Sequence, residues 1–362
     1  MGRRFQWNLF KAHRQWAKRP DDERFPTVQA LYEATAEYAK IAGEKRVPFG
    51  TLRTEAADGD IQLVGKAGVP AHLTHWAFGQ LCQRISAPAA YLRDLPATLA
   101  AQNLNHGLAE RAKNNGEDIA QLLFHSNGSL LLRAITSTQY ERIWNWEVAQ
   151  RLMDLCERGW EPALPDTGGP QNTALYASDH DMFAFLRQRN VVISEPGTDQ
   201  PIYRGVIVEN SEVGAAALKL TRFMYRYMCS NHIIWGASKV VELSVRHVGD
   251  ARNRWAQFAV QCQAWANESA SDEQSIIKSA QSKVIAATKE QVLDAVFGKR
   301  SLGLSRKTIE SGYDAAIPSQ DGSPNTVWGL VQGLTRHSQT IPYAEVRTGI
   351  DRAAGKLMEV NF

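Results

Sequence analysis

Residues 121–136 read QLLFHSNGSLLLRAIT, two apolar runs joined by Ser126, Asn127, Gly128 and Ser129. Asn and Gly tolerate the positive φ that a tight turn demands, so an Asn-Gly pair between apolar runs predicts a β-hairpin. An isolated hairpin is marginal in water, so the flanking sequence has to supply further strands and a covering layer. Downstream, Thr138-x-x-Glu141 has the form of a capping box and predicts a helix to about Glu157 with Ile143, Trp146, Leu152 and Leu155 inward, ended by Gly159. The runs TALYAS, DMFAFL, YRGVIVENSEVGAAALKLTRFMYRYMCSNHIIWG and ASKVVELSVRHVG then read as strands of one antiparallel sheet. Upstream, Pro26 to Ala42 is periodic at helical spacing, and Val47 to Leu73 breaks into short apolar pieces suited to small strands. Thr74 can cap a helix over Trp76 to Ile85, and Pro88 and Pro96 bracket a short helical piece around Tyr91.

From Ala251 to Phe297 there is no Pro or Gly, and Trp255, Phe258, Cys262 and Trp265, then Ile276, Ile277, Ala280 and Val284, recur at helical spacing. Two long helices broken near 269–271 are expected, with a last helix from about Thr326. The fold class is α+β, with a central antiparallel β-sheet packed against helices and a long helical C-terminal region. Three parts follow: a basic helical arm (1–46), an α+β core domain (47–250) and the helical C-terminal region (251–362).

Composition narrows the function by exclusion. In 362 residues, 44% are hydrophobic and 22% charged, which rules out a disordered or fibrous chain. Forty-one Lys and Arg against 38 Asp and Glu leave a net charge of +3, so attraction to phosphate has to come from local clustering. The four cysteines are scattered, with no C-x-x-C pair, and read as reduced thiols. No secretory leader and no 18-residue apolar run is present, so a cytoplasmic location and no membrane partner are expected. No phosphate loop, dinucleotide fingerprint, nucleophile elbow or H-E-x-x-H helix occurs, so no cofactor, no metal and no enzymatic activity are expected. His72 and His75 lack a third ligand, Asp179-His180-Asp181 is better read as a solvated turn, and Asn210-Ser211-Glu212 as a structural turn rather than a nucleophile.

The basic and aromatic residues offer more. Lys219, Arg222 and Arg226 alternate with Phe223, Tyr225 and Tyr227, and Arg252, Arg254 and Trp255 follow, placing cations for phosphates beside rings on which bases stack. Between 278 and 307, Lys278, Lys283, Lys289, Lys299, Arg300, Arg306 and Lys307 face only Glu290 and Asp294. Both sets also admit the reading of core rings under an ordinary solvated face, because alternation alone does not say which face is exposed.

Several segments together resemble the bacterial family known as domain of unknown function 932: RPDDERF (19–25), LTHWAFGQLCQRISAPAAYLRDLP, LLLRAITSTQYERIWN, SDHDMFAFL, above all ENSEVGAAALKLTRFMYRYMCSNHIIWG, and late TVWGLVQGLTRHSQ. The resemblance implies a product of prophages, plasmids or integrative elements, and it brings no established reaction. The expected function is sequence-independent single-stranded DNA binding, in the manner of ATP-independent strand-annealing recombination proteins, by a homo-oligomer. The alternatives are a host-interaction or anti-defence protein working through protein contacts, and a metal-dependent nuclease using the Asp179/Asp181 region.

Overall fold

The computed structural model describes residues 21–115, 118–163, 173–190, 193–194, 201–226, 231–233, 243–245, 247–249, 251–268, 271–341 and 344–362. The first 20 residues of the expected basic arm (1–46) therefore lie outside the described residues. The described chain opens with β1 (Arg24–Phe25) and α1 (Val28–Lys40), whose N-cap Thr27 accepts the Ala30 N–H. Next come β2 (Ala42–Pro48), β3 (Arg53–Ala57), β4 (Asp60–Val64) and β5 (Pro70–Leu73). Helices α2 (His75–Arg84, capped by Thr74), α3 (Ala89–Asp94) and α4 (Ala97–Asn115) follow. The hairpin is present as β6 (Ile119–Asn127) and β7 (Ser129–Ser137), with Gly128 at φ +73° in its turn. These strands form a six-stranded sheet in the order β2-β6-β7-β5-β4-β3, antiparallel except for the parallel β5–β7 pair. Leu122, Leu132 and Ile135 bury one face of it against Leu81, Leu104 and Phe49.

Helix α5 (Asn145–Glu157) leads to a second sheet, built from β8 (Trp160–Pro162), β9 (Leu175–Ala177), β10 (Met182–Gln188), β11 (Ile193–Ser194), β12 (Pro201–Asn210), β13 (Leu218–Arg226), β14 (Asn231–Ile233) and β15 (Leu243–Val245). With β1 it is nine-stranded and antiparallel, ordered β1-β9-β10-β12-β13-β14 along its main path. Val206, Val208, Leu218 and Leu220 bury one face against Leu152 and Leu155 of α5 and against Trp160, Trp255 and Trp265.

The remainder is helical: α6 (Ala251–Ala256), α7 (Phe258–Ala266), α8 (Ser271–Ser282), α9 (Lys289–Phe297), α10 (Arg306–Ala315), α11 (Pro318–Asp321), α12 (Val327–Gln339) and α13 (Ala344–Leu357). α12 is buried almost all round, and α10 crosses it so closely that a Cβ at Gly333 would sit 2.0 Å from the Gly312 carbonyl oxygen.

The architecture is α+β as expected, with three differences in detail. The hairpin and the later strands belong to two sheets rather than one, because the hairpin recruits its partners, β2 and β5, from upstream. The Thr138/Glu141 capping box does not form. Tyr140 bridges Val248 and the Glu141 N–H donates to the His247 carbonyl, which holds this segment extended. The helix starts instead at Asn145, where Glu147 accepts the Trp144 N–H at 2.9 Å, and Glu141 turns to accept the Ala251 N–H at the start of α6. The two long C-terminal helices are four pieces: besides the expected break after α7, α6 ends before Gln257, and α8 ends where Val284 bridges Thr326 and the Ile285 N–H donates to the Asn325 carbonyl.

Candidate nucleic-acid interface

Strand alternation separates the cations of β13. In the β12–β13 register Arg222 stands opposite Val206, on the face that buries Leu218 and Leu220, whereas Lys219 stands opposite Glu209 on the other face. The Arg222 side chain is only 12% exposed; its guanidinium lies 5.0 Å from the Trp265 ring centroid and 3.9 Å from Glu268. Burial pushes its pKa down, and Glu268 opposes that shift. On the same face Arg204 of β12 is wholly buried and donates to the Trp265 and Glu268 carbonyls at 2.7 and 2.8 Å and to Glu273 at 2.7 Å. The two arginines fasten α7 and the start of α8 under the sheet. Lys219 is half-buried. The side chains of Tyr225, Arg226, Arg252 and Arg254 lie outside the described residues, although their backbone places the first two on β13 and the last two on α6.

The second set divides differently. Lys289 is held by Asp314 at 2.8 Å and Glu310 at 3.4 Å, hydrogen bonds that raise its pKa, and Arg306 is paired with Glu290 and Asp294. Lys283 and Lys299, sixteen residues apart, converge: the Lys283 ammonium donates to the Val360 carbonyl and to Asn361 Oδ1 at 2.7 and 3.1 Å, and Lys299 donates to the Asn361 carbonyl at 2.9 Å. Lys299 also lies 5.5 Å from the Phe362 ring, and the exposed Arg300 4.9 Å from that of Phe297. Lys278 and Lys307 are exposed.

A buried polar seam joins the two sheets, and sequence reasoning did not single it out. Arg133 of β7 donates to Glu212 at 2.9 Å and to the Asp179 carbonyl at 2.8 Å, lies 3.0 Å from His125 Nε2, and covers the Tyr38 ring. The other oxygen of Glu212 accepts the Asn145 N–H at the start of α5. Burial, then the Arg133 charge, pushes the His125 pKa down to about 3. The signal was legible in principle: an arginine inside LLLRAIT has apolar neighbours on both sides, and such a charge has to find a buried partner.

The weaker candidates resolve into local structure. His72 sits on β5, 3.3 Å from Asp60, while His75 opens α2. Ser178 caps the 178–181 turn, accepting the His180 and Asp181 N–H groups. The Ser211 hydroxyl donates to the His180 carbonyl and accepts the Val213 and Ala215 N–H groups, so all of its bonds go to backbone. Among the described residues no three His, Cys, Asp or Glu side chains gather as a metal site, and no helix is long and apolar enough to cross a membrane. Burial raises the thiols of Cys82, Cys156 and Cys262, which are unbonded to one another, to about 11, 11 and 12.

These features define an α+β protein of two sheets and a helical C-terminal region, whose buried charges are consumed in holding its parts together. The chain belongs to the family described as Domain of unknown function (DUF932), whose sequence model matches residues 134–353, well over half of it. That match starts inside β7 and ends inside α13, so it takes in every strand of the nine-stranded sheet except β1 and nearly all of the helical region. No curated protein and no solved structure matches the chain.

Proposed function

We propose that this protein binds single-stranded nucleic acid without sequence preference, through the basic surface of its C-terminal helical region. The observation that supports this reading is the convergence of Lys283 and Lys299 beside Arg300, whose only described acceptors are backbone carbonyls and an amide oxygen. A neutral carbonyl is a weaker partner for an ammonium than a phosphate oxyanion, so a polyanion can replace it. The Phe297 and Phe362 rings beside these cations suit unstacked bases more than a closed duplex. Strand annealing by a homo-oligomer, in the service of a plasmid or phage, is the finer form of the proposal. It needs neither a cofactor nor a catalytic group.

Fluorescence anisotropy with a labelled oligothymidylate and a duplex of equal length tests it. The single strand is expected to bind more tightly, with affinity falling steeply as salt rises. Equal binding to both, or none at low salt, overturns it.

A further inference from the structure

A cleft of about 620 Å³ opens beside β2, at the edge of the six-stranded sheet, and neither Lys283 nor Lys299 lines it. One wall is Glu44 and Arg46 of β2 with Gln121 of β6, which share a sheet face because Arg46 and Gln121 are register partners. The opposite wall is the 138–144 segment, a turn at 138–139 followed by non-helical chain, including Tyr140, Arg142 and Trp144.

The donors and acceptors of the walls are unequally used. One oxygen of Glu44 accepts both the Arg142 Nε–H, at 2.6 Å, and the Gln121 amide, at 3.0 Å. Arg142 is 4% exposed, yet among the described residues its Nη1 and Nη2 find no acceptor, and Gln121 Oε1 finds no donor. Its guanidinium carbon sits 5.3 Å from the Tyr140 ring and 5.6 Å from the Trp144 ring. The other carboxylate of the wall, Glu141, is engaged with the Ala251 N–H, whereas Arg46 is exposed and has no carboxylate within ion-pair distance among the described residues. The cleft thus pairs spare cationic donors with one spare acceptor, and a buried donor without a partner marks a place that a ligand completes.

We propose that this cleft binds a nucleoside monophosphate, its phosphate on Arg46 and the Nη edge of Arg142, its base donating to Gln121 Oε1. The volume lies within the range of small-molecule sites and exceeds the needs of a bare inorganic anion, and a guanidinium edge matches two phosphate oxygens at once. In the present conformation the Nη atoms and Gln121 Oε1 are all closed off from solvent, so binding requires the 138–144 wall to shift and the Gln121 amide to turn toward the cleft.

Calorimetric titration of the full chain with dTMP, thymidine and inorganic phosphate tests the site. dTMP is expected to bind, with thymidine and phosphate each at least tenfold weaker, and Arg46→Ala is expected to weaken dTMP tenfold or more, with partial recovery in Arg46→Lys. Arg46 is exposed, so its replacement leaves the fold intact and the test does not depend on whether an Arg142 variant folds. Absence of dTMP binding at millimolar concentration, thymidine or phosphate binding as tightly as dTMP, or an unchanged affinity in Arg46→Ala overturns the proposal. Lys283→Ala and Lys299→Ala are expected to leave dTMP binding unchanged; a parallel loss would place the nucleotide on the lysine surface and overturn the cleft. An oligonucleotide carrying a 5′ phosphate separates a strand end from a free nucleotide: competition with dTMP that vanishes in Arg46→Ala assigns the strand end to the same site, and competition that persists there overturns that assignment.

Discussion

Arg204 and Arg222 on the nine-stranded sheet and Lys283 and Lys299 in the helical region carry the same charge, and both arginines and Lys299 lie beside aromatic rings, but the fold uses them in opposite ways. The arginines turn under the sheet onto Trp265, Glu268 and Glu273, and are spent on attaching α7 and α8. Among the described residues the lysines reach only carbonyl and amide oxygens of residues 360–361, with no carboxylate in ion-pair distance. A planar guanidinium with five donors can satisfy several buried acceptors at once, whereas a strongly hydrated ammonium is costly to bury. The rings these cations meet lie far along the chain, Trp265 for Arg222 and Phe362 for Lys299, so it is the type of cation and the strand face, not the local spacing of cations and rings, that decide whether the contact is internal.

The comparison breaks hardest at Arg133. If inward arginines hold the molecule together, Arg133→Met should leave Glu212 buried without its cation and cost about 3–5 kcal/mol, the usual effect of removing one partner of a buried pair. Urea unfolding measures it, and a loss below about 1 kcal/mol would show that the Asn145 N–H that Glu212 already accepts is enough to hold the buried carboxylate without Arg133.

Acid provides a second probe of the same interior. His125 is held down to about 3 and His247 to about 4, in both cases chiefly by burial. Their folded pKa values lie below the unfolded value of 6.5, so the unfolded chain binds more protons as the pH falls, and stability present above pH 6.5 is lost on the way down toward pH 3–4. Each histidine can contribute a slope of up to about 1.4 kcal/mol per pH unit within that window. Unfolding midpoints should therefore drop as the pH is lowered from about 6.5 to 5, and His125→Gln, which can still accept from Arg133, should flatten the drop. An unchanged slope in that variant would place the acid sensitivity elsewhere.

How much of this was legible depends on whether the signal was local. The hairpin at Asn127-Gly128, the caps at Thr74 and Thr326, and the β12 and β13 runs were readable because turn chemistry and alternation act within a few residues. The fate of Thr138 and Glu141 was not, since a valid local cap lost to the bridge between Tyr140 and Val248, more than a hundred residues away. The break after α8 has the same origin in Val284 and Thr326. For the candidate site, the excess of cations between 278 and 307 was visible in the sequence, but its division into paired Lys289 and Arg306 and converging Lys283 and Lys299 was set by tertiary neighbours: Asp314 across a helix–helix contact, and residues 360–361.

The smallest expected effect on the fold is also the sharpest test of the contrast. Lys283 and Lys299 contribute ammonium-to-carbonyl bonds at a partly solvated surface, so the double replacement Lys283→Ala/Lys299→Ala should change stability by no more than about 1 kcal/mol, within the range for exposed polar contacts. Its effect on oligothymidylate binding should be larger and of a defined form: weaker affinity for every sequence alike, and a log–log salt slope shallower by roughly 0.7 for each single-strand phosphate no longer neutralised. Arg222→Ala serves as the paired control. It removes one positive charge from the sheet, against two in the lysine pair, and should lower the melting temperature through weaker packing on Trp265 while leaving the salt slope of the folded fraction unchanged. If instead Arg222→Ala shallows the slope and the lysine pair does not, the inward and outward roles are reversed, and the binding surface belongs to the nine-stranded sheet.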